Sequence, residues 1–85
     1  MSVVVTRAEV MENIKNRIIE NINSGLLLDG QARYVIERSD CYNRTIAIKL
    51  GEEIAKLYRK EGYDVDACEY GASSRENYIA INVSL

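Results

Sequence analysis

Apolar side chains at Val10, Met11, Ile14, Ile18, Ile19 and Ile22 recur in steps of three and four, with Glu12, Asn13, Lys15, Asn16, Arg17, Glu20 and Asn21 between them. That spacing gathers the apolar set on one side of a helix. Thr6 and Glu9 spell a capping box, in which the threonine hydroxyl accepts the glutamate amide and the glutamate reaches back to the cap. Val5 and Val10 add the hydrophobic staple of the same motif. Gly25 offers a left-handed stop after Ser24, so a helix is expected over 7–24. Leu26, Leu27 and Leu28 come next, read as a plug for the core under the helix end, with a subunit contact as the alternative. Asp29 and Gly30 then form a turn pair.

Ala32 to Arg38 is rich in β-branched and aromatic residues and predicts a strand; Ser39 and Asp40 turn the chain, with Asp40 as the expected cap of the second helix. Residues 41–62 carry two patterns at once. Thr45 to Leu50 alternates as a strand would, whereas Ile46, Ala47, Leu50, Gly51, Ile54, Ala55, Leu57 and Tyr58 fall at helical spacing. The longer pattern favours one helix over about 42–61, ended by Gly62, with Ala47, Gly51 and Ala55 as a small-residue stripe facing the first helix. The competing reading makes 44–50 a strand and the chain α-β-β-α-β-β, two copies of helix plus hairpin, because 44–50 echoes 77–83.

The end of the chain reads as a hairpin. Placing Tyr70 opposite Tyr78 sets Ala67 by Ile81 and Val65 by Val83, which leaves one apolar face for the helices. The opposite face would be open and would bear Asp64, Asp66, Cys68, Tyr70, Tyr78 and Asn82, with Tyr58 and Tyr63 at the border of the core. The expected fold is therefore a single α+β domain over 1–85, in the order α-β-α-β-β, with two long helices on one face of a small, mostly antiparallel sheet.

Composition narrows the chemistry. The chain has no histidine, which removes Ser-His-Asp and Cys-His catalysis, His-based zinc sites and the facial triad. Cys41 and Cys68 are too few and too far apart for a zinc site and form no CxxC. The net charge of −2 is spread evenly along the chain, without the basic stripe that duplex binding uses. Val3-Val4-Val5 is the only apolar run near the start, far short of a signal-peptide core or a membrane span. A cytoplasmic protein with reduced thiols is expected, with no cofactor, no metal site, no membrane contact and no enzymatic activity.

What remains is contact. Tyr70 and Tyr78 on an open face would supply apolar area together with hydroxyl groups, as a platform or a homo-oligomer interface. The turn over 71–77 places Ser73, Ser74 and Arg75 where backbone amides, hydroxyls and a guanidinium could meet a phosphate or carboxylate. It carries no Walker lysine and opens no helix, so it is not a P-loop. Arg44 at the start of the second helix is a further anion contact, and Asp64 with Asp66 a cation or acid–base pair lacking a third ligand. In being short, rich in Ile and Asn, free of proline and without a catalytic motif, the composition resembles that of small accessory proteins of phages and mobile elements. The expected function is a non-enzymatic, oligomeric accessory or inhibitor protein that occupies a protein partner. The alternative is a sponge for a small anionic ligand such as a signalling nucleotide.

Overall fold

The computed structural model describes residues 3–85. It forms α1 (Arg7–Asp29), β1 (Gln31–Glu37), α2 (Arg44–Lys60), β2 (Asp64–Glu69) and β3 (Asn77–Ser84), the expected order. Thr6 is extended and accepts the Glu9 amide at 3.1 Å, as the capping box requires. The end of α1 differs from expectation. Gly25 stays helical because it is pressed against β1: a Cβ there would lie 2.9 Å from that of Ala32. The left-handed residue is Gly30, at φ 75, whose amide donates to the Leu26 carbonyl. With Leu26, Leu27 and Leu28 in the helix, only Leu26 packs on the core; Leu27 and Leu28 project into solvent and plug nothing.

Residues 44–60 form one helix and the strand reading of 44–50 is not adopted. The helix places Ala47, Leu50, Gly51, Ile54, Ala55 and Tyr58 on a single buried face, and a strand over 44–50 would break up that set. Its cap is Asn43, which accepts the Ile46 amide at 3.1 Å. Asp40, too far from the first helical residue to cap it, accepts the Tyr34 hydroxyl at 2.8 Å and the Glu37 amide at 2.9 Å, closing the turn after β1. The small-residue stripe faces the sheet rather than α1. A Cβ at Gly51 would sit 2.8 Å from Ile79 Cγ2 and 3.4 Å from Ile36 Cδ1.

The three strands lie in the order β1-β3-β2, with β3 antiparallel to both neighbours. Ala67 pairs with Ile81 and Val65 with Val83, the register that the alternation predicts. Both helices cover one face. Between them and the sheet lie Ile18, Ile22, Ile36, Ile54, Ile79, Ile81 and Val83, each buried almost completely. Among the described residues no charged or polar side chain is buried, and the one ion pair, Lys15 with Glu12, is at the surface. Such a pair contributes less than about 1 kcal/mol, so apolar burial holds the fold. No helix among the described residues is long and apolar enough to cross a membrane.

This packing sets two expected outcomes. Gly51→Val drives two methyl groups into Ile79 and should lower unfolding stability by about 3 kcal/mol, read from urea denaturation; an unchanged midpoint would contradict the close approach. The second concerns alkaline pH. Burial, with the hydrogen bond to Asp40, pushes the Tyr34 phenol from 10.0 up to about 12, and burial also raises that of Tyr58. Each phenol holds its proton more tightly when folded; the contribution of Tyr34 is complete below pH 10 and is lost as pH rises towards 12. Urea midpoints should therefore fall through that window, and less steeply in Tyr34→Phe.

Candidate interaction surface

The tyrosine pair expected on the open face is not formed. Ile36 pairs with Ile79 and Glu37 with Asn77, so Tyr78 has no counterpart on β1. This is a β-bulge, a device that re-aims a side chain, and Tyr78 is buried to 6% exposure within the core cluster. Tyr70 is half-buried and its amide donates to the Tyr78 carbonyl, continuing the hairpin.

Arg44 is turned to internal work. Its guanidinium donates to the Tyr70 carbonyl at 2.8 Å and ties the start of α2 to the end of β2. Its Nε is the only buried side-chain polar atom without a hydrogen-bond partner among the described residues. The 71–77 turn closes on itself: the Ser74 amide donates to the Gly71 carbonyl at 2.9 Å and Ser74 Oγ accepts the Asn77 amide at 3.3 Å. Ser73 and Arg75 stay exposed. Asp64 and Asp66 are exposed, and no three metal-ligating side chains cluster among the described residues. Cys41 is buried and Cys68 exposed, both as free thiols. Tyr42 stands in solvent with Arg38 stacked 5.5 Å from its ring centre.

A different surface gathers at the end of the molecule where both helices finish. Three adjoining shallow concavities share Asn23: one is lined by Ile19, Leu57 and Tyr58, a second by Tyr58, Tyr63 and Leu85, and a third by Leu26, Leu27 and Tyr63. The floor is rigid. The Tyr58 hydroxyl lies 2.6 Å from Asn23 Oδ1 and 3.2 Å from the Ile19 carbonyl, and the Tyr58 and Tyr63 rings meet edge to face at 5.8 Å. Leu85 is fixed through its own amide, which donates to the Gly30 carbonyl at 3.1 Å, while its side chain stays 90% exposed. Leu27 is 89% exposed, and Leu57 is about half exposed.

Sequence reasoning ended α1 at Gly25 and so read Leu26, Leu27 and Leu28 as a core plug, with a subunit contact only as the alternative, and it did not bring in Leu57, Tyr63 or Leu85. Had the helical spacing been carried onward, Leu26 would continue the stripe of Ile19 and Ile22, and Leu27 would fall one turn beyond Asn23 on the outer side. Comparison with protein-family models, curated proteins and solved structures gives no match.

The roles of the two hairpin tyrosines separate by substitution. Tyr78→Ala should cost about 3–5 kcal/mol, as other large core truncations do, and Tyr70→Ala less than about 1.5 kcal/mol. Equal losses in urea denaturation would contradict the placement of Tyr78 in the core.

Proposed function

We propose that this chain is a non-enzymatic binding protein, an accessory or inhibitor that works by occupying a protein partner. One observation carries the reading: Leu27 and Leu85 are almost fully exposed on a strip completed by Leu57 and Tyr63. Covering an exposed leucine is worth about 1.5–3 kcal/mol, and nothing in the fold collects that energy here. Contiguous exposed apolar surface with polar residues around it is the usual mark of a protein contact. Asn23, Lys60 and Glu61 supply such surroundings. The partner's chemistry is accordingly an apolar ridge or helix face that can cover two leucines and a tyrosine edge.

The chain immobilised on resin tests this against its Leu27→Asp/Leu85→Asp form. The variant should stay folded, losing only the roughly 1 kcal/mol that a carboxylate in the last turn of α1 costs, because neither side chain contributes to the core, yet retain the partner at least ten-fold less. A Ser73→Ala/Arg75→Ala form should retain it fully. If the aspartate variant captures the same proteins in the same amounts, the strip is not the contact. Loss in the Ser73→Ala/Arg75→Ala form instead would move the contact to the 71–77 turn.

A further inference from the structure

One face of the sheet lies under the helices, and the other has no helix against it. Ile79, Ile81 and Val83 point their side chains into the core, so Ala80, Asn82 and Ser84 point the other way. Residues paired in register share a face, which sets out the open side in three rows across β1, β3 and β2. The first row is Gln31, Ser84 and Asp64; the second is Arg33, Asn82 and Asp66; the third is Val35, Ala80 and Cys68. Arg33 and Asp66 are both exposed.

Charge is divided across these rows. The cation stands on β1 and the two carboxylates on β2, with β3 between them. Strands lie about 4.8 Å apart, so the backbones of Arg33 and Asp66 are about 10 Å from each other. They do not pair: the one ion pair among the described residues is Lys15 with Glu12. Gln31, Arg33, Asn82 and Ser84 also line a shallow concavity of about 430 Å³ between β1 and β3, with Asp29 at the end of α1.

A two-fold axis makes this division self-complementary. Two open faces set against each other about an axis parallel to β3 exchange left and right without moving any residue along its strand. β1 of one copy then lies over β2 of the other. Arg33 faces Asp66, Gln31 faces Asp64 and Val35 faces Cys68, each contact made twice, while Asn82, Ser84 and Ala80 meet their own copies at the axis. The β2 carboxylates come over the concavity beside Arg33. Sheets packed face to face stand about 10 Å apart, which an arginine and an aspartate span together. An axis across the strands through the middle row would instead confront Arg33 with Arg33 and Asp66 with Asp66.

We propose that a second copy of this chain docks on the open sheet face about a two-fold axis along β3, held in register by reciprocal Arg33–Asp66 contacts. The three rows cover roughly 15 by 18 Å, at the small, transient end of interface sizes, so the dimer is weak and charge sets its orientation. This contact uses neither hairpin tyrosine and does not depend on the leucine strip.

Sedimentation equilibrium at up to about 1 mM chain, the range in which small interfaces associate, tests the dimer. The wild-type mass should rise with concentration towards twice the 9.6 kDa of one chain. Arg33→Glu and Asp66→Arg should each weaken association at least ten-fold, because each places like charges opposite one another. Lys49→Glu changes the net charge as much as Arg33→Glu does, from an exposed position on α2, and should leave association unchanged. Mixing Arg33→Glu with Asp66→Arg should restore the dimer: the new glutamate faces the new arginine, and Arg33 of one chain faces Asp66 of the other. A wild type that stays at 9.6 kDa throughout overturns the proposal. So does association that survives both reversals, that Lys49→Glu abolishes equally, or that the mixture of folded variants does not restore. Should either reversal fail to fold, the near-isosteric Arg33→Gln and Asp66→Asn take its place. Each should weaken association at least three-fold, and no change in either would overturn the Arg33–Asp66 contact.

Discussion

The burial of Ile79, Ile81 and Val83 beneath two helices is the contact on which everything else in this fold depends. β3 is the last strand in sequence and the middle strand in space, so both earlier strands find their place only by pairing with it. With no charged residue wholly buried and one surface ion pair among the described residues, apolar contact rather than ion pairing holds the elements together. The small residues of α2 belong to the same constraint: Gly51 lets the helix axis approach until Ile79 and Ile36 fill the space a side chain would take.

A core this concentrated leaves much of the chain's apolar content outside it. Ile residues at the centre satisfy the packing, while Leu27, Leu28, Leu85 and the valines of residues 3–5 remain in solvent. They fall in different places for different reasons. Leu27 and Leu85 stand beside hydrogen-bonded Tyr58 and Asn23, whereas Val3 and Val4 precede the cap of α1 and are almost fully exposed.

Much of the fold was legible in local pattern. The Thr6–Glu9 cap, the stripe of α1, the long stripe of α2 and the Tyr70–Tyr78 register each rest on interactions among neighbours in sequence or across one turn. The candidate site was legible only in part. Ser73 and Arg75 are exposed as their turn composition implies, but Tyr78, Arg44 and Gly25 took roles that depend on elements far away in the chain. Alternation alone places Tyr78 with the outward set, and only the mismatch between β1 and β3 re-aims it.

The sequence by itself determined an α+β domain and favoured the order α-β-α-β-β over α-β-β-α-β-β, because amphipathic period and capping are properties of short stretches read one at a time; the tertiary structure removed the strand reading of 44–50 by burying one face of the whole helix. Where β3 inserts, where α1 ends and which leucines are covered were decided by the tertiary structure alone. Gly25 shows why: a glycine is permitted both as a left-handed stop and as a close-packed helical residue, and only the position of Ala32, brought up by β1, selects between them.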